Sequence, residues 1–204
     1  IAKKINLTLL AETSLSVCLN YEYLNNRDLA KIYCDRSVRI NNILGNKVRH
    51  SQYFLRNGYI YSNVGTLRNT EITSFYYGEA YEISKQLGLK LSQAKALSGL
   101  AMAERMKGEN NLAIKHLKKA EKVYIDLNIK KSGCLDCNIG LIYWGMKQYP
   151  LAIEYYGKAI DSALKYDMKP SLGSSASHMA SIYSGLRDYE EALKYSILAL
   201  EVNK

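Results

Sequence analysis

A period of about 40 residues runs through this 204-residue chain and limits its fold more than any other feature. When Gly140-Leu-Ile-Tyr143 is set beside Ala180-Ser-Ile-Tyr183, the residues that follow stay in step: Tyr149 meets Tyr189, Ala152 meets Ala192, Tyr155 meets Tyr195 and Ala159 meets Ala199. Ala101, Ala113, Leu117 and Ala120 hold the matching stations 39 residues earlier. Further back come Ile60, Tyr77 and Ala80, then Cys18, Tyr21 and Ala30, which makes five copies. A unit of this length cannot bury its apolar face alone, so neighbouring copies must stack into one continuous core.

A second ruler agrees. Asn6, Gly45, Gly88, Asn128, Asp167 and Asn203 recur every 36 to 43 residues, each preceded by an apolar or aromatic residue. Gly and Asn tolerate the left-handed conformation that closes a helix, and Asp does so less often. Between stops, each copy carries two runs with apolar residues three and four apart, such as Ala152, Ile153, Tyr156, Ala159, Ile160 and Ala163. The reading is all-α, with ten helices in five antiparallel pairs at roughly 9–44, 50–87, 92–127, 131–167 and 171–203. Residues 1–5 form a stub closing an earlier repeat, and residues 1–204 are one repeat domain cut from a longer repeat protein. Pro150 opens a second helix, where its missing N–H costs nothing, and Pro170 lies between hairpins.

The later copies carry a specific motif: a small residue, Tyr three positions on, a polar turn, an aromatic, Ala, an aromatic and Ala. It reads Gly140, Tyr143, Tyr149, Ala152, Tyr156 and Ala159 in the fourth copy. In the fifth it reads Ala180, Tyr183, Tyr189, Ala192, Ser196 and Ala199. This pattern resembles the tetratricopeptide-repeat (TPR) family. Its period exceeds the usual ~34 residues and is similar to the long-repeat arrays of bacterial peptide-sensing regulators and TPR-bearing sensor proteins. The resemblance implies a right-handed α-solenoid whose concave wall is lined by the first helix of each pair, acting as a protein- or peptide-binding scaffold, the sensory or interaction part of a bacterial regulatory protein. The alternative is a structural spacer or self-assembly segment without its own ligand.

Aligned on the repeat, the first-helix stations that would face a partner are Asn57 and Tyr61, then Lys95, Ser98 and Met102, then Asn138, Leu141 and Trp144, and finally Ser177. They mix apolar anchors with amides and hydroxyls that could read a peptide main chain, as could Asn63. The Lys and Asn pair by which some TPR proteins clamp a terminal carboxylate is missing, since the matching stations carry Leu15 and Leu19 or other residues.

No phosphate-binding loop, dinucleotide fingerprint, serine-nucleophile elbow or H-E-x-x-H motif occurs, so an enzyme is not expected, nor a cofactor. The four cysteines are Cys18, Cys34, Cys134 and Cys137. The spacing Cys134-Leu-Asp-Cys137 lacks the two further ligands a zinc site needs, and the reading for the thiols is packing or groove lining, with no bound metal and no disulfide needed for folding. The net charge of +9 is spread in sequence, and the Lys115, Lys118, Lys119 and Lys122 stripe reads as solvated helix surface, so no nucleic-acid partner is expected. The partner is a protein or peptide, with self-association through open solenoid ends. No apolar run is long enough to cross a membrane, and a cytoplasmic location is expected, with a periplasmic sensor segment as the alternative.

Overall fold

The computed structural model describes residues 2–24, 26–62, 67–129 and 133–202, and only the backbone of residues 2–5, 22, 67–69, 133 and 134. These residues form helices and their connections, with no strand among them. In order the helices are α1 (Ala2–Tyr23), α2 (Arg27–Leu44), α3 (Lys47–Ser62), α4 (Leu67–Gln86), α5 (Lys90–Lys107), α6 (Asn110–Asp126), α7 (Gly133–Gly145), α8 (Tyr149–Lys165), α9 (Lys169–Gly185) and α10 (Tyr189–Val202). The chain divides into two compact units, residues 1–120 and 121–204. In unit 1, α1 packs on α2, α3 on α4, and α5 on both α3 and α4; in unit 2, α7 packs on α8, α9 on α10, and α9 on both α7 and α8.

Most of the stop signals act as the sequence implies. Gly45, Gly88, Asn128 and Asp167 have φ of 63°, 67°, 52° and 50°, the left-handed region that ends a helix. The turn inside a hairpin uses the same device at Gly108, Lys147 and Arg187. At each, paired bonds fold back on the helix: Lys147 N–H donates to the Trp144 carbonyl and Gln148 N–H to that of Tyr143, just as Arg187 donates to Ser184 and Asp188 to Tyr183. Asn203 lies outside the described residues, and Asn6 is the exception. It lies inside α1, so residues 2–5 are not a separate stub but the start of a 22-residue helix. Leu-Thr-Leu-Leu after it continues the helical run, and Asn without a following break is merely a weak helix former. Pro170, assigned above to a linker, stands in the first turn of α9, as Pro150 does in α8.

Each hairpin is held where a small first-helix residue meets a larger second-helix one. A Cβ on Gly140 would stand 3.0 Å from the ring of Tyr156, and one on Gly58 would stand 2.9 Å from that of Tyr77. Gly58 is therefore the close-approach residue of the second copy, and Ile60, assigned above to that station, is out of register by two. The second station lies 19 residues after the first in this copy and 16 in the others. In the first copy the same stations hold Cys18 and Cys34, and these form a disulfide with Cα atoms 5.3 Å apart. That corrects the reading of these two thiols as packing or groove lining: the close backbone approach at these stations falls within the bonding range of two cysteines.

Three positions on, a tyrosine of the first helix stacks on a tyrosine of the second. Tyr21 meets Tyr33, Tyr61 meets Tyr76, Tyr143 meets Tyr155 and Tyr183 meets Tyr195, with centroids 5.4 to 5.7 Å apart. The third copy has Glu104 and His116 at these stations, joined as an ion pair of 2.8 Å. Around the hairpin contacts lie the cores: Phe54, Ala80 and Ala96 in unit 1, and Tyr156, Ile160, Leu172, Met179 and Ile182 in unit 2.

Candidate partner-binding face

In unit 2 the first helices α7 and α9 lie side by side and offer a mixed surface. From α7 come Asn138 and Leu141, both half-buried, and Trp144, 37% exposed. From α9 come Ser174, Ser177 and Ser181, all exposed, and His178. The His178 ring stacks on Tyr156 at 5.1 Å and meets the edge of Trp144 at 5.5 Å. Its Nδ1 lies 2.7 Å from the Ser174 carbonyl, which can only accept. Nδ1 therefore carries the proton, and in neutral imidazole Nε2 is left as an acceptor.

The serines have the same polarity. Ser177 Oγ donates to the Gly173 carbonyl at 2.8 Å and Ser181 Oγ to the Ser177 carbonyl at 3.0 Å, so their lone pairs face outward. The α9 row is thus a line of acceptors, while α7 supplies a donor in the Trp144 indole N–H and both a donor and an acceptor in the Asn138 amide. Each edge of an extended main chain carries both N–H groups and carbonyls, so it can donate to the α9 acceptors and accept from α7. His178 was missed in the sequence, although it stands 40 residues after Asn138 and was open to the same alignment. Cys137 Sγ lies 3.9 Å from Ser174 Oγ on this face, and the Cys134 side chain lies outside the described residues.

Unit 1 keeps three of its five nominated residues accessible. On α5, Lys95 is exposed while Ser98 and Met102 are half-buried, and Ser98 Oγ donates to the Ala94 carbonyl at 2.9 Å. The other two are corrected. Asn57 is fully buried, and its amide has no hydrogen-bond partner among the described residues. Tyr61, 6% exposed, turns to the second-helix side, where its ring stacks on Tyr76 and lies under Lys31 Nζ. Tyr76 donates to Asp35 at 2.7 Å. Burial, reinforced by the Asp35 charge, pushes both phenols well above the usual tyrosine range. The physical reason is the register of the second copy: with Gly58 as the close-approach residue, Asn57 falls in the helix contact and Tyr61 on the stacking station. Asn63 lies outside the described residues.

Two carboxyls stand out electrostatically. Burial raises Glu104 above the usual carboxylate range, with His116 opposing the shift. Asp136, in the first turn of α7, is pushed up to about 6 by burial and by Glu121, with Lys158 opposing. No three His, Cys, Asp or Glu side chains converge as a metal cluster among the described residues, and no described helix is long and apolar enough to cross a membrane.

Comparison with known proteins accords with this geometry. Residues 132–204 match the family model of the tetratricopeptide repeat. A search of curated proteins finds none that matches the sequence. Among solved structures, aspartyl phosphate phosphatase F from Bacillus subtilis is similar over 98% of this chain at 19% identity with a TM-score of 0.87, and the chain spans about half of it, 52%. A Rap protein complexed with competence and sporulation factor is similar over 95% of this chain and 63% of its own at 16% identity, TM-score 0.68. A putative kinesin light chain from Podospora anserina with nearly identical TPR-like repeats gives 13% identity and a TM-score of 0.70, with 94% of each chain covered. At these identities the likeness is one of fold. The chain has the fold of the tetratricopeptide-repeat solenoids, and its residues 132–204 carry the sequence pattern of that family as well.

Proposed function

We propose that the chain is a binding module that holds a protein or peptide segment along its first helices, as the interaction part of a bacterial regulatory protein, and that it does no chemistry of its own. The observation that carries this reading is the row of hydroxyl and imidazole acceptors on α9 beside the exposed Trp144 of α7. Trp144 and Leu141 anchor the segment by burial, and Asn138, Ser177 and His178 fix its register. In unit 1, Lys95, Ser98 and Met102 present the matching α5 surface. Structures of the same fold include one solved with a factor bound to it, which supports the reading.

Trp144 is the sole tryptophan, so its emission reports directly on this face. The experiment selects binders from a displayed random-peptide library and titrates them against the protein while following Trp144 fluorescence. Binding should shift the emission, and Leu141→Ala with Ser177→Ala should weaken it about tenfold or more. Selected peptides that leave the emission unchanged and bind Trp144→Ala as well as the parent would refute the assignment.

A further inference from the structure

Unit 1 carries a feature on its other side. One cavity of about 410 Å³ opens between the second helices α2 and α4, against Tyr61 of α3. Another of about 470 Å³ opens between α4 and α6, against Leu97 and Leu100 of α5. Phe75 of α4, 59% exposed, lines both and stands as the ridge between them.

Their charge runs against that of the unit. The surplus of +9 lies wholly in residues 1–120, which hold 18 Lys and Arg against 9 Asp and Glu, whereas residues 121–204 hold 10 of each. Yet four of those nine acids, Asp35, Glu71, Glu79 and Glu82, line the two cavities, against two of the 18 bases, Lys31 and Lys119. Asp35 is taken by Tyr76, and Lys31 lies over the Tyr61 ring. Glu71, Glu79 and Glu82 are exposed and join none of the ion pairs among the described residues. At physiological salt a charge is felt over about 8 Å, so a docking segment meets first the acids that line the clefts.

Gly78 adds an independent pointer. It lines the larger cavity in the interior of α4, where alanine would favour the helix by roughly 0.5–1 kcal/mol. A Cβ there meets no atom within 4 Å, so no packing contact in this structure calls for the glycine. What its missing side chain does is leave the cleft open beside Glu79 and Glu82.

We propose that this double cleft is a second interaction surface, which takes a basic amphipathic segment of another protein. The segment seats one apolar side chain on each side of Phe75 and sets lysine or arginine against Glu71, Glu79 and Glu82. Apolar floor and acidic lip divide the work in the usual way of helix-in-groove recognition: the anchors supply affinity and the charges select the partner. The surface is separate from the α7 and α9 face, so either can stand without the other.

The test uses two labelled amphipathic helical peptides at physiological salt, one of leucine and lysine and one of leucine and glutamate, with fluorescence anisotropy as the readout. The lysine probe should bind and the glutamate probe should not. Gly78→Met, which fills the cleft without altering charge, and the paired Glu79→Gln and Glu82→Gln should each weaken the lysine probe about tenfold, while Trp144→Ala should not. Hydrogen exchange of the parent protein with the lysine probe should show protection over residues 71–82, a measurement that needs no variant to fold. Equal binding of both probes, unaltered affinity of the variants, or protection on α7 and α9 instead would overturn the proposal. So would self-association of the parent that Gly78→Met abolishes, because the cleft would then belong to a second copy.

Discussion

Cys18 and Cys34 join α1 to α2 at the two stations where Gly58 meets Tyr77 and Gly140 meets Tyr156 in later hairpins. One geometric demand, close backbone approach, is met by a covalent bond in the first copy and by a ring lying on a glycine in the second and fourth. Removing the bond should therefore loosen the first hairpin specifically.

A bond closing a loop of this size contributes on the order of 3 kcal/mol through the unfolded chain. Thermal melts with and without reductant should differ by several degrees, and Cys18→Ala should reproduce the reduced curve and be insensitive to reductant. Hydrogen exchange in α7 to α10 should stay unchanged. Coincident melts in the two conditions would show that the hairpin does not depend on the bond.

The Tyr77 ring is wedged between glycines of two helices, Gly58 on α3 and Gly99 on α5, where a Cβ would fall closer still. Burial there pushes its phenol up to about 12. Gly99→Ala should destabilise by about 1–3 kcal/mol through overpacking. Gly157→Ala in α8, whose Cβ meets nothing within 4 Å, should instead stabilise by roughly 0.5–1 kcal/mol. Equal effects in chemical denaturation would show that the hairpin contact is not size-limited.

Asp136 sets a pH dependence in unit 2. Its folded value of about 6 lies above the usual 3.8, so the fold favours the protonated form. The stabilisation is therefore complete below about pH 4 and is lost as the pH rises through 6. Asp136→Asn, neutral at every pH, should raise the melting temperature at pH 7.5 and change it little at pH 4. A gain that is the same at both values would place the effect elsewhere than in the charge.

Glu104 and His116 hold, by an ion pair, the stations that four other copies fill with stacked tyrosines. Breaking a largely buried pair from one side leaves the remaining partner without its counterion. Glu104→Tyr and His116→Tyr alone should each destabilise by about 1–3 kcal/mol, while the double variant should recover most of the loss by restoring the stack. A double-mutant cycle that proves additive would mean the two stations are not coupled.

The sequence determined the helical pairs and nearly all their ends. Gly45, Gly88, Asn128 and Asp167 could be read because left-handed backbone is a local preference of a residue, and a local preference survives without knowledge of its surroundings. The same rule misplaced Asn6, which only tolerates that conformation and here continues a helix. What the tertiary structure alone decided was which of the nominated residues are exposed and which are buried. Periodicity places a side chain on one side of its own helix, but burial depends on the neighbouring helix and on the register between them. The three extra residues of the second copy shifted that register, which puts Asn57 in a helix contact and Tyr61 against Tyr76. The disulfide and the cleft around Phe75 have the same origin: both come from residues far apart in sequence, brought together by packing that no single helix encodes.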